Sequence, residues 1–272
     1  MEPFLLENES FLLLRDWMDS NPRLIAGFTT KHGGYSKGPY TSLNMAFHVN
    51  DESDAVRLNR QKVGRELDFS VHHWVGAEQI HDAVIRKVSK SDTGKGALSY
   101  EDAIKGTDGF FTLDKGVLLT LCFADCVPVY FFSPRHGAVG IAHAGWRGTV
   151  KGIAAEMIRV FQEEKIPPRD IFVVIGPSIC EKCYIVDDKV IEIVKSRLAE
   201  GEKKTYNFIY GNQYTLNLQE ANKQILMQAK VPEQNIRITN FCTGHHHNLF
   251  FSHRRDKGKT GRMMGFIGWK ED

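Results

Sequence analysis

The chain has 272 residues, 42% of them hydrophobic and 25% charged, which is globular stock with enough apolar mass for a substantial core. Its 35 basic and 33 acidic side chains leave a formal charge of only +2, too even a balance to point to a nucleic-acid or membrane partner. No run of about eighteen apolar residues is present, so no membrane helix is expected. Five cysteines (Cys122, Cys126, Cys180, Cys183 and Cys242) are too few and too uneven in number for a disulfide framework.

Near the start, Phe11-Leu12-Leu13-Leu14 is cut short by Arg15 and Asp16. It reads as a strand or short buried segment and not as a signal sequence, so a cytoplasmic location is expected. Leu24 to Thr30 reads as an apolar strand that runs into the turn-rich Lys31-His32-Gly33-Gly34. Val56, Val63 and Leu67, set among charges, predict an amphipathic helix between Asp51 and Leu67. A strand is expected at Ala83-Val84-Ile85, just after His81, and residues 89–109 read as exposed connection.

Val117 to Phe123 is unbroken in its apolar character and predicts a strand buried on both faces. Asp125-Cys126 interrupts it before Val127–Phe132 resumes the pattern, with Pro128 suggesting a bend or edge. Ala138 to Ala142 leads into His143-Ala144-Gly145-Trp146-Arg147-Gly148-Thr149. Then Val150, Ile153, Ala154, Met157, Ile158 and Phe161 fall at helical spacing, with Thr149 as the expected N-cap. A strand over Ile171–Ile175 ends at Gly176-Pro177, and a helix is expected from Asp187 to Leu198. Asn217 with Glu220 fits a capping box opening a helix toward Lys230. Short strands are expected at Ile236–Thr239 and Arg262–Trp269. With no clean linker and no repeat, residues 1–272 read as one α/β domain, a mixed sheet with helices on its faces.

His81, Asp125-Cys126 and His143 all stand at ends of apolar strands, where open α/β sheets gather their ligand crevice. His81, Cys126 and His143 offer two imidazoles and a thiolate, a set that zinc accepts with a fourth position open. The same residues also suit a buried thiol with two hydrogen-bonding histidines, or a thiol nucleophile with an imidazole base and Asp125 as orienter or proton carrier. Spacing alone does not choose among these. Cys180-Glu181-Lys182-Cys183 has the gap of structural zinc sites and redox pairs, and Cys242 with His245 or His247 would complete a second half-site. That signal is weak, because a second close Cys-x-x-Cys is missing. The His143–Thr149 segment offers backbone N–H groups for an anion, yet neither a P-loop nor a Rossmann glycine pattern is present. Arg147, Arg254, Arg255 and Arg262 are possible charged donors, and Trp146 is a possible stacking surface for a planar base.

Across nearly its whole length the chain resembles the YfiH/YlmD-like family, formerly labelled laccase-domain or polyphenol-oxidase-like. The resemblance rests on Phe28-Thr29-Thr30-Lys31-His32-Gly33-Gly34-Tyr35-Ser36, Leu43-Asn44, Gln79-Ile80-His81 and Ala124-Asp125-Cys126-Val127-Pro128-Val129. It continues through His143–Thr149, Gly176-Pro177-Ser178-Ile179, Cys183-Tyr184, Phe251-Ser252-His253-Arg254-Arg255 and Gly261-Arg262. It implies a single-domain α/β sandwich similar to the catalytic domain of cytotoxic necrotizing factor. It also implies a zinc ion on His81, Cys126 and His143, with copper the less suited metal. The implied activity is phosphorolysis of purine nucleosides, methylthioadenosine included, by orthophosphate, together with deamination of adenosine. Lys31, Ser36, Asn44 and His247 join the arginines and Trp146 as candidate substrate or phosphate contacts. A cysteine amide hydrolase that uses Cys126 on cell-wall precursors is the rival enzyme, and a non-enzymatic metal-carrying interaction module is the other alternative. No obligate protein partner is evident.

The chain departs from the family pattern at three points. Asp82 follows His81 where relatives usually have glycine, Lys31 replaces a common arginine, and Cys180 stands where glycine is common. Lysine lacks the planar fork that binds an anion through two hydrogen bonds.

Overall fold

The structure, a computed structural model, describes residues 1–197 and 203–271. In chain order its strands are β1 (Leu5–Leu6), β2 (Phe11–Leu13), β3 (Leu24–Thr29), β4 (Trp74–Gly76) and β5 (Ile85–Lys87). Then come β6 (Gly109–Thr112), β7 (Val117–Phe123), β8 (Val127–Ser133), β9 (Ala138–Ala144) and β10 (Phe172–Ile175). The last are β11 (Ile185–Asp187), β12 (Tyr206–Tyr210), β13 (Gln213–Leu216), β14 (Ile236–Ile238) and β15 (Met263–Trp269). The helices are α1 (Arg15–Ser20), α2 (Ser53–Glu66), α3 (Trp146–Lys151), α4 (Ile153–Glu163), α5 (Asp188–Arg197) and α6 (Leu218–Gln228).

The α/β class is as expected, but the single mixed sheet resolves into two mixed six-stranded sheets. One runs β1-β2-β3-β15-β7-β4 and the other β14-β10-β8-β9-β6-β5; a small third sheet, β11-β13-β12, lies apart. Alternation along the strands shows how the two large sheets stack. Phe110, Tyr130, Phe132, Val139 and Ile141 of one sheet share a buried cluster with Phe28, Leu119, Leu121 and Phe123 of the other. Their neighbours point the opposite way. Phe111, Val129, Phe131 and Ala142 pack on Met157, Phe161 and Ile225 of α4 and α6, while Leu118 and Phe266 pack on Val63 of α2. Each central strand therefore has apolar neighbours on both faces, so its sequence is apolar throughout although its pairings are mostly antiparallel.

Three local expectations change. Pro128 lies in β8, a central strand, but near its start and beyond the last rung that β8 shares with β10 (Val129↔Ile175). Thr149 does not cap the long helix. Helix α3 begins earlier, with Gly145 as its N-cap, and stops at Gly152 in the left-handed region before α4. The Thr149 side chain instead accepts a hydrogen bond of 2.9 Å from Asn222 of α6. Strand β6 and the β12–β13 hairpin were not expected at all. At α6 half of the expected capping box forms: Asn217 Oδ1 accepts from the Glu220 amide at 2.9 Å, while the Asn217 amide donates to the Thr205 carbonyl at 2.7 Å and not to the Glu220 side chain. The expected end of the fifth helix at Leu198 lies outside the described residues.

Candidate metal centre

The chain passes from one sheet to the other between β7 and β8 through only three residues, Ala124-Asp125-Cys126. So tight a crossing puts Asp125 in the left-handed region at φ 84° and leaves Cys126 at the rim of the sandwich. His143, the next-to-last residue of β9, pairs with Pro128 across the ladder and so arrives beside Cys126. His81 comes from the loop before β5, also at positive φ (61°). One ligand atom from each of His81, Cys126 and His143 lies within 4.8 Å of the others. Two non-glycine residues in a strained conformation at one place mark a site that its surroundings hold by force.

Asp108 supplies much of that force. It is fully buried just ahead of β6. Its carboxylate accepts the backbone N–H groups of Ile80 (3.1 Å), His81 (3.0 Å) and Asp82 (2.8 Å), fixing the His81 loop. The same carboxylate lies 2.9 Å from His143 Nδ1, which leaves Nε2 as the free ring nitrogen. A carboxylate behind an imidazole in this way sets the tautomer and orientation that a metal ligand needs. Gly145 provides the space: a Cβ there would sit 2.9 Å from Cys126 Sγ and 3.4 Å from His81 Cδ2. The donor set, its carboxylate support and this cradle fit a borderline-soft cation with one position open.

Electrostatics agree. Burial opposes ionisation of Cys126, but the charge and hydrogen bonds of His143, with those of His81, outweigh it and bring the thiol down to about 6. Burial likewise disfavours a charged His143, yet the Cys126 thiolate and the Asp108 carboxylate raise it to about 9. Without a cation the two form a thiolate–imidazolium pair.

The trio opens into a cavity of about 360 Å³, in the range of small-ligand sites. Trp146, Arg147, Arg254 and Arg262 line it, as does Asp125. Arg147 lies over the Trp146 ring at 4.7 Å, and Arg254 over Tyr184 at 5.0 Å. Both Asp125 oxygens are engaged, one by the Thr243 hydroxyl at 2.6 Å and the other by the Arg254 amide at 2.7 Å.

The remaining candidates lie elsewhere. Ser36 is buried and accepts from Asn59 at 2.9 Å. Asn44 is fully buried, and its Oδ1 holds the Arg262 backbone amide at 2.9 Å, so it positions that arginine from behind. Lys31, His247 and Arg255 line a separate cleft. There Lys31 Nζ donates to the His247 carbonyl at 2.6 Å, and Arg255 is tied to Asp256 and to the carbonyls of Thr243 and Phe250. The anion site expected at the start of a long helix falls instead at α3, which is only six residues long.

Besides Asp108, sequence reasoning missed His48, Gln79, Tyr184 and His253, which all line the cavity. Burial, followed by the positive charges of Arg262 and Arg60, pushes His48 down to about 4, so it is neutral at physiological pH. Burial and the Cys126 charge raise the Tyr184 phenol to about 12.

Among the described residues no helix is long and apolar enough to cross a membrane. The family described as "Multi-copper polyphenol oxidoreductase laccase" matches residues 25–270. The chain is 49% identical over 249 residues to "Purine nucleoside phosphorylase YlmD" of Geobacillus stearothermophilus, covering 91% of each protein. It is 46% identical over 273 residues to the Bacillus subtilis protein of the same name, covering 99% of this chain and 98% of that one. The crystal structure of Geobacillus stearothermophilus YlmD superposes with a TM-score of 0.96, at 46% identity and with full coverage of both chains. A match of this extent in both sequence and fold makes the chain a member of the YfiH/YlmD-like laccase-domain family of purine nucleoside phosphorylases.

Proposed function

We propose that the protein is a zinc-dependent purine nucleoside phosphorylase that also cleaves methylthioadenosine and deaminates adenosine. The observation that carries this reading is the convergence of His81, Cys126 and His143 on a cavity with arginines and aromatic rings in its walls. The names of the relatives supply the reaction class. When bound, zinc supplies Lewis acidity at the position its three ligands leave open. The "multi-copper" description fits this donor set less well, since one Cys/His₂ group lacks the paired histidines of blue and trinuclear copper centres.

The chain's own groups do the rest. Trp146 and Tyr184 present ring faces for a purine, and neutral His48 offers one donor and one acceptor for its edge. Arg147, Arg254 and Arg262 bring fixed positive charge to orthophosphate. In phosphorolysis a phosphate oxygen bonds to the anomeric carbon as the bond to the purine nitrogen breaks, and the departing base takes up a proton. In deamination water replaces the amine at adenine C6 and ammonia leaves. Asp125, with both oxygens engaged, holds the Thr243 and Arg254 loops against Cys126.

The test couples metal analysis to product detection with adenosine, run with and without phosphate. Adenine formed only with phosphate reports phosphorolysis, and inosine reports deamination. His81→Ala and Cys126→Ser are expected to fold, lose metal and lose most turnover; full activity in metal-free protein would sink the proposal.

One observation favours a second reading. Asp108, His143 and Cys126 are connected in the order of a thiol-hydrolase triad, with the thiol already brought down to about 6. A cysteine amide hydrolase requires a thioester on Cys126 during turnover. Its absence from quenched reactions that release purine bases rejects this chemistry as the main one.

A further inference from the structure

Away from the cavity, two short loops come together by chain pairing. Ser178 and Cys242 form an isolated parallel bridge, and the Thr243 amide donates to the Ser178 carbonyl at 3.0 Å. Each loop then makes a tight turn. The Cys183 amide donates to the Cys180 carbonyl at 3.0 Å, and the His246 amide to the Cys242 carbonyl at 2.8 Å. Cys180-x-x-Cys183 therefore faces Cys242-x-x-His245, and one ligand atom from each of the four lies within 4.8 Å of the rest.

We infer that Cys180, Cys183, Cys242 and His245 bind a second metal ion, a tetrahedral structural zinc distinct from the centre at Cys126. Four independent features carry the assignment. First, the His245 ring lies 3.5 Å from Cys180 Sγ (Nδ1) and 3.4 Å from Cys183 Sγ (Nε2). Zinc–sulfur and zinc–nitrogen bonds of about 2.3 and 2.0–2.1 Å at a tetrahedral angle set an S···N edge of roughly 3.5 Å. Since the imidazole offers the ion one nitrogen, one of these two distances matches such an edge whichever nitrogen binds, and all four ligand atoms lie within 4.8 Å of one another. Second, the Cys242 sulfur receives backbone N–H groups from Cys180 at 3.3 Å and His245 at 3.5 Å, the support that a thiolate ligand takes from its surroundings. Third, a Cβ on Gly244 would come within 2.9 Å of Cys183 Sγ and 3.6 Å of Cys242 Sγ, so glycine is what lets the two turns close on one another. Fourth, all the cysteines are free thiols. A disulfide would join two of these sulfurs and leave the third sulfur and the imidazole without a purpose; a tetrahedral ion uses all four.

The consequence reaches the cavity through the chain. Ile179 and Tyr184 flank the Cys180–Cys183 turn and line the cavity, and Thr243, next to Cys242, holds Asp125. Zinc here would clamp the two loops that form that wall. Cys180 is thus one corner of a site and not a stray thiol.

The experiment counts zinc by mass spectrometry in the full chain, purified without chelator. Two equivalents per chain are expected in the wild type, one in Cys126→Ser and one in Cys183→Ser. His245→Ala is expected to release its second ion to a competing chelator more than about tenfold faster. Should Cys183→Ser fail to fold, cobalt reconstitution of Cys126→Ser decides the matter. Intense visible bands of tetrahedral thiolate-bound cobalt support the site, and their absence overturns it. A wild type with a single zinc that Cys126→Ser removes overturns it too, as does a disulfide among Cys180, Cys183 and Cys242 in the purified protein. Zinc retained by Cys126→Ser concerns this site, and zinc lost from it concerns the first, so the two assignments fail separately.

Discussion

Gly145→Ala tests the first centre by adding a single methyl group. The backbone at Gly145 (φ −65°, ψ 172°) is open to any residue, so alanine brings no conformational strain. Its Cβ would meet Cys126 Sγ at 2.9 Å and His81 Cδ2 at 3.4 Å. Ordinary contact lies at roughly 3.5–4.0 Å, so the sulfur must retreat by about 0.6–1 Å. Metal–ligand bonds tolerate about 0.2 Å. The sulfur therefore leaves the point it shares with the two imidazoles, and metal affinity is expected to fall by more than the roughly 10–100-fold that follows loss of an outer-shell partner. The measurement is a chelator competition for zinc beside a thermal melt of metal-free protein, in which the variant should match the wild type. A Gly145→Ala protein with wild-type zinc affinity refutes the ligand geometry. One that unfolds without metal shows that the glycine serves packing instead.

Asp108→Asn tests the support behind the ligands, because each Asp108 oxygen accepts two N–H groups. Whichever way the amide turns, its NH₂ faces two of those donors. Either the Ile80–Asp82 loop loses its anchor or His143 must shift its proton to Nε2; each unpaired donor costs about 1–3 kcal/mol, and zinc affinity falls at least tenfold in the same competition assay. Alkylation of Cys126 in metal-free protein should follow its lowered pKa: the thiolate, and with it the rate, disappears only as pH falls through about 6, whereas a free thiol would lose it near 8.5. A midpoint near 8.5, or no protection by added zinc, counts against the pair with His143. Arg60 is buried and gives its guanidinium to the carbonyls of Met45, Gly96 and Ala97. Arg60→Lys should lose about 1–3 kcal/mol for each carbonyl left unpaired, read as a lowered midpoint in urea, and an unchanged midpoint would show that water replaces the fork.

Most of the elements could be read from sequence because the central strands and the α2, α4 and α6 faces carry strong periodicity. The misses have physical causes. Strand β6 is only four residues long and opens on the glycine of Asp108-Gly109, a dipeptide that reads as a turn. Asp108 was passed over for the same reason: its importance lies in amides 26 to 28 positions away and in His143, which no local pattern reveals. The β12–β13 hairpin did leave a signal, Gly211-Asn212 between runs of aromatic and β-branched residues, and a closer search for hairpins would have found it. The arginine candidates divided according to what lay behind them. Arg147, Arg254 and Arg262 line the cavity, even though Arg254 also donates to the Ile185 carbonyl and Arg262 to those of Thr260 and Gly261. Arg255 instead lines the separate cleft and is held by Asp256 and by the Thr243 and Phe250 carbonyls.

The three-residue crossing from β7 to β8 explains why the candidate chemistry gathers where it does. Two sheets stacked face to face must be joined at a rim, and so short a join forces one residue to positive φ. That residue, Asp125, turns its carboxylate back to fasten the Thr243 and Arg254 loops, and the next residue, Cys126, faces the gap the turn leaves. Register then does the rest, since pairing β8 with β9 from Val127↔Ala144 sets His143 opposite Pro128, two positions beyond the thiol. Cavity walls and candidate ligands thus depend on the same turn, and a change at Asp125 cannot loosen one without moving the other.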